Sequence, residues 1–79
     1  MKEFSFDNLI EVMREVFNAS GIVIDENSTS ASVPGWDSIA HVILMLEIED
    51  AFGFTMTPQE AAECTNVGAL YQALAALKP

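Results

Sequence analysis

Basic side chains are scarce in this sequence. Only Lys2, Arg14 and Lys78 stand against twelve acids, which leaves the 79 residues with a net charge of −9. A field of that sign repels phosphate backbones and anionic lipid surfaces, so nucleic acids and membranes are not expected partners. It attracts basic protein surfaces, and it also keeps a small protein soluble. Cysteine is nearly absent too. The single Cys64 rules out an internal disulfide, which fits a reducing cytosol and sets the expectation of a cytoplasmic protein. The longest apolar run, Val42 to Leu46, is far too short to cross a bilayer. Met1-Lys2-Glu3 does not open onto the apolar stretch of a secretory signal. There is no internal repeat, no strand-like alternation and no low-complexity tract.

What is present is apolar enough to fold, with 51% hydrophobic residues. A chain of this length makes one domain, expected over residues 1–79. It buries only about 60–65% of its unfolded surface. A deep catalytic pocket would compete with the thin core for the same side chains. The balance favours a carrier, binding or interaction module.

Helical punctuation runs along the chain. Residues 5 to 19 repeat Leu9, Ile10, Met13, Val16 and Phe17 at spacings of three and four, with Glu11, Arg14 and Glu15 opposite. Ser5 or Asp7 caps the start and Ser20-Gly21 is expected to end the helix. A long connection follows over residues 20 to 37. Its middle, Asn27-Ser28-Thr29-Ser30-Ala31-Ser32, has no helical period, while Ile22, Val23, Ile24, Val33 and Trp36 read as anchors. The loop is expected to be packed at its ends and looser between. Pro34-Gly35-Trp36-Asp37 is a turn, Asp37 an N-cap, and a second helix runs from Ser38 to Phe52 before Gly53. Thr57-Pro58 with Glu60 opens a short helix ending near Glu63 or Cys64. Thr65 or Asn66 caps a last helix with Val67, Leu70, Leu74 and Leu77 on its inner stripe and Tyr71 beside them. The expected architecture is all-α: a small antiparallel four-helix bundle with a long first loop and a short third helix.

Two apolar stripes share the second helix. His41, Leu44, Met45, Ile48 and Phe52 form the expected core face. Ile39, Val42, Ile43 and Leu46 form another, bordered by Glu47, Glu49 and Asp50. Ile22, Ile24, Val33 and Trp36 of the loop are expected to cover part of it, Ile43 above all. Ile39, beside Ser38, is best placed to touch a partner. Met13, Met45 and Met56 read as core. Cys64 reads as an inert packed thiol, since nothing basic flanks it. His41 lies three residues from Ser38, but no carboxylate or oxyanion site is arranged around the pair, so it reads as a half-buried residue whose ring bonds a backbone or Asp partner.

The order Gly35-Trp36-Asp37-Ser38-Ile39, an apolar and acidic helix, then Glu47-Ile48-Glu49-Asp50-Ala51-Phe52-Gly53, resembles the acyl carrier proteins and their peptidyl and D-alanyl relatives. The order and spacing of the four helices match as well, so the resemblance spans essentially the whole chain. It implies that Ser38 carries 4′-phosphopantetheine, taken from coenzyme A, through a phosphodiester. Asp37 would cap the helix and meet the transferase or its metal. A helix N-terminus independently suits a phosphate. The implied partners are a phosphopantetheinyl transferase, an acyl-activating ligase, and synthases or transferases with basic or apolar docking surfaces. The expected partner face is Ile39, Val42, Leu46, Glu47, Glu49 and Asp50. No catalytic residue and no metal ligand is assigned, and a monomer is expected. Many fatty-acid carriers have acids where this chain has Ala40 and Ile43, which points to a specialised pathway: polyketide, nonribosomal peptide or modified-acid assembly. The alternative is a helical protein-interaction adaptor in which Ser38 is never modified.

Overall fold

Each helix begins on a side chain that accepts a backbone N–H its own helix cannot satisfy. In the computed structural model, which describes residues 2–18 and 23–78, α1 spans Phe6–Phe17, α2 Ser38–Phe52, α3 Pro58–Glu63 and α4 Val67–Leu77. Ser5 Oγ accepts from Asn8 N at 3.2 Å, so Ser5 rather than Asp7 is the first cap. Asp37 Oδ1 accepts from Ala40 N at 2.8 Å. Thr57 Oγ1 accepts from Glu60 N while Glu60 Oε1 accepts from Thr57 N, a reciprocal box around Pro58 at the helix start. Asn66 Oδ1 accepts from Ala69 N at 2.7 Å, so Asn66 rather than Thr65 caps α4. Among the described residues there is no strand. The four helices form a small bundle of acyl-carrier type, with α1 laid chiefly against α2.

The end of α1 differs from expectation. Asn18 takes the left-handed conformation (φ 52°) and its N–H bonds Arg14 O, so the helix stops at Phe17. Asparagine tolerates that region better than other non-glycine residues. Ser20, Gly21 and Ile22, the expected terminator and anchor, lie outside the described residues. The buried stripe of α1 is Leu9, Val12, Met13 and Phe17, with Ile10 and Val16 half-buried. Val12 completes the stripe three residues after Leu9.

The core gathers Leu9, Met13, Leu44, Ile48, Val67, Leu70 and Leu74, all fully buried, with Met45, Met56 and Phe52 around them. Leu77 belongs to the expected stripe but is 42% exposed, because α4 ends there and no neighbour covers its last turn. At one end Phe4 stacks on Tyr71 (5.2 Å between rings) and meets Phe52 and Phe54 edge-on.

Ile24, Val33 and Trp36 of the long loop are buried, as anchors should be, but Val23 is 79% exposed and anchors nothing. The middle of the loop is tied down rather than loose. Asp25 Oδ1 accepts from Asn27 N, Ser28 Oγ from Asp25 N, and Ser32 Oγ from Thr29 N. Ser28 O and Glu26 O then accept the N–H groups of Val67 and Gly68, two donors at the start of α4 that its own helix leaves unpaired. Gly68 suits that close approach, since a Cβ there would lie 3.1 Å from Glu26 O and press on it.

Candidate functional site

The site is built by the turn that delivers the chain into α2. Val33 is buried and its carbonyl accepts from Trp36 N at 3.2 Å. Gly35 takes φ 87°, where a side chain would be strained, and a Cβ would come within 3.3 Å of Phe17 O. The turn places the Trp36 indole inside, stacked on Phe17 at 5.3 Å and 22°. Asp37 and Ser38 are then exposed, Asp37 as the cap and Ser38 as the first helical residue. Among the described residues the Ser38 hydroxyl has no hydrogen-bond partner. The N–H groups of Ser38 and Ile39 are free in the same sense, and the partial positive charge of a helix N-terminus lies beside the hydroxyl.

An open groove of about 650 Å³ starts at this serine. Trp36, Asp37, Ser38, His41 and Val42 form one side; Ala61, Ala62 and Cys64 of the α3 region form the other. His41 spans the two. Its Nδ1 lies 3.0 Å from Trp36 Nε1, and its Nε2 lies 3.1 Å from Ala61 O. An indole N–H only donates, so Nδ1 is the acceptor and the ring proton sits on Nε2, donated to the carbonyl. The expected backbone partner is therefore Ala61 O. The tryptophan partner is absent from the sequence-based expectation, although Trp36 and His41 flank Ser38 in sequence and both carry polar ring atoms that burial obliges to pair. Neither ring nitrogen is left to take a proton from Ser38, so the pair has no nucleophile–base geometry.

Cys64 also lines the groove. Burial pushes its thiol up from the ordinary range, and the carboxylates of Glu63 and Glu60 push the same way. Its Sγ lies 3.4 Å from Glu60 O and 3.9 Å from Met56 Sδ, the setting of a packed, protonated thiol.

The outer stripe of α2 is exposed at Ile39, as expected, and also at Ile43, where the loop is expected to lie. Ile39 is 73% exposed, Val42 61%, Ile43 45% and Leu46 63%. Ile24, Val33 and Trp36 turn into the core instead of lying over Ile43, and Ile22 lies outside the described residues. Leu44, Met45, Ile48 and Phe52 are the buried face as expected, with His41 half-buried. Glu47, Glu49 and Asp50 are exposed further along α2. The exposed face is thus apolar near Ser38 and acidic toward Gly53.

Residues 7–74 match the family described as phosphopantetheine attachment site. The chain belongs to the acyl carrier family. It is 31% identical over 68 residues to the acyl carrier protein MbtL of Mycolicibacterium paratuberculosis, covering 86% of this chain and 76% of that protein. It is 31% identical over 71 residues to the acyl carrier protein MbtL of a Mycobacterium species, covering 90% and 80%. The carrier uses a covalently attached 4′-phosphopantetheine, whose terminal thiol holds acyl groups as thioesters. The residues present fit that group: an unpartnered hydroxyl to esterify, free backbone N–H groups for the phosphate, and a groove alongside for the pantetheine. Carriers of this family work with phosphopantetheinyl transferases and synthetases. Among the described residues no helix is long and apolar enough to cross a membrane.

Proposed function

We propose that Ser38 is the attachment point and that this chain, as one carrier unit over residues 1–79, ferries acyl or aminoacyl intermediates in a specialised biosynthetic pathway. The exposed, unpartnered Ser38 hydroxyl at the first position of α2 carries this reading. Ser38 Oγ attacks the phosphate of coenzyme A that bears the pantetheine. A phosphodiester forms, the pyrophosphate link breaks and adenosine 3′,5′-bisphosphate leaves. Asp37 caps the helix start and would meet the transferase or its metal there. The protein itself performs no chemistry on the acyl group, in keeping with a His41 whose two nitrogens are already engaged. A free thiol at Cys64 is in keeping with a cytoplasmic setting.

The docking face consists of Ile39, Val42 and Leu46 with Glu47, Glu49 and Asp50 beyond them. An exposed apolar stripe of this kind, ending in carboxylates, suits a partner with an apolar centre and a basic rim. Transferase, acyl-activating ligase and downstream synthases would each bind it in turn, one monomeric carrier at a time. The exposed Ile43 and the half-buried Ala40 favour a polyketide, nonribosomal peptide or modified-acid route over fatty-acid synthesis. Tandem mass spectrometry of transferase-treated protein is expected to place the added phosphopantetheine on the peptide containing Ser38. Its appearance on another residue would displace this reading. No modification by several transferases would favour an adaptor that works through the stripe alone.

A further inference from the structure

His41 holds both residues that precede Ser38. Its Nδ1 accepts from Trp36 Nε1 at 3.0 Å, and its backbone N–H donates to Asp37 O at 2.9 Å. The side-chain bond closes residues 36 to 41 on themselves, with the exposed serine between its two ends.

The first turn of a helix frays readily, because its opening breaks few bonds and uncovers little apolar surface. Asp37 ties this turn locally: its Oδ1 accepts from Ala40 N and its carbonyl from His41 N, both at the surface. The Trp36–His41 bond differs, since its ends are fixed elsewhere. The indole is buried and stacked on Phe17 of α1 at 5.3 Å. The imidazole lies nearly parallel to it, 6.0 Å between ring centres, and donates from Nε2 to Ala61 O at 3.1 Å. That donation keeps the ring proton on Nε2 and leaves Nδ1 to accept. Opening the turn would strand the buried indole N–H, and buried donors resist being left unpaired.

We infer that His41 is a positioning residue for the modification of Ser38, a role that rests on attachment there: by accepting the Trp36 indole N–H it ties the first turn of α2 to the core and holds the serine hydroxyl in place for attack. In that step the Ser38 Oγ–P bond forms as the P–O bond to adenosine 3′,5′-bisphosphate breaks, and the hydroxyl proton passes to a base of the transferase. His41 takes no part in these bonds and acts through Trp36. The attacking and leaving oxygens must stand in line, and a misplacement of about 1 Å costs on the order of 100-fold in rate.

The test uses the whole protein with a broad-specificity phosphopantetheinyl transferase in excess, so that each carrier is modified once. Intact mass gives the limiting rate, and its dependence on transferase concentration gives half-saturation. His41→Ala, shown folded by circular dichroism, should lower the limiting rate about tenfold or more and leave half-saturation within about threefold. Trp36→Phe keeps a ring against Phe17 and removes the donor, so the limiting rate should fall about threefold or more. His41→Asn places Oδ1 where Nδ1 lies but is too short for Ala61 O, and its rate should return to within about threefold of the wild type. Ile48→Val weakens the core away from the turn and should leave both quantities unchanged. An unchanged limiting rate in Trp36→Phe or in folded His41→Ala overturns the inference. So does a shift in half-saturation alone, or a His41→Asn as slow as His41→Ala. A loss in Ile48→Val equal to that in His41→Ala also overturns it, since the rate would then follow stability. A wild type that gains no mass overturns the attachment reading itself, a result distinct from all of these.

Discussion

The Trp36 indole N–H points at Nδ1 of His41 from 3.0 Å, and this one contact decides where the imidazole keeps its proton. With Nδ1 accepting, Nε2–H is free to donate to Ala61 O, twenty residues along the chain. The pair therefore joins the long loop, α2 and α3 at the residue that precedes the cap of the Ser38 helix.

That junction makes a prediction about stability. Trp36→Phe removes one hydrogen bond and keeps most of the stacking on Phe17, so it should cost about 1 kcal/mol in urea unfolding. His41→Ala removes both bonds and leaves the buried indole N–H without its acceptor, so it should cost about 2–3 kcal/mol. The double variant should cost less than the sum, because the orphaned donor is gone.

How much of the molecule is legible in its sequence follows from the range of each interaction. The caps at Asp37 and Thr57-Pro58 with Glu60 are local, so the starts of α2 and α3 read directly from sequence. The Asp37-Ser38-Ile39 start of the apolar, acidic α2 is readable in the same way. Asn18 is not, because asparagine is a weaker terminator than the Ser20-Gly21 pair that follows it. Val23 and Leu77 fit an apolar pattern but sit where no neighbour reaches them. Ile43 is exposed where loop cover is expected, since periodicity shows that a face is apolar and not where a distant loop lands. The His41–Ala61 bond has no local signature.

Gly35 gives a second prediction. Its φ is 87°, and a Cβ at this position would lie 3.3 Å from Phe17 O. Gly35→Ala should therefore destabilise the fold by about 1–2 kcal/mol and slow transferase modification through misdirection of Asp37 and Ser38. Denaturant unfolding and the rate of mass gain would check it.

The exposed stripe gives a third. Ile39→Ala and Leu46→Ala should leave the melting temperature within a few degrees, because these side chains are largely solvent-exposed. If they dock a transferase, kcat/KM for modification should fall about tenfold for the more central of the two. Unchanged kinetics in both would remove the stripe from the docking face.

Cys64 gives a fourth. Burial, with Glu63 and Glu60 adding to it, holds the thiol above its ordinary pKa. A raised value means less thiolate at neutral pH, so iodoacetamide should label native Cys64 more slowly than it labels the unfolded chain. The labelling rate should still be climbing with pH where a free cysteine has levelled off. A plateau at or below the free-cysteine range would contradict the packing described for this thiol.

The central claim is that Ser38 carries the phosphopantetheine, and intact mass tests it most directly. Wild-type protein and Ser38→Ala would be incubated with coenzyme A, Mg²⁺ and a broad-specificity phosphopantetheinyl transferase. The account predicts a gain of one phosphopantetheine in the wild type and none in the variant. A folded wild type that gains nothing, or a Ser38→Ala that gains the same mass, would contradict it.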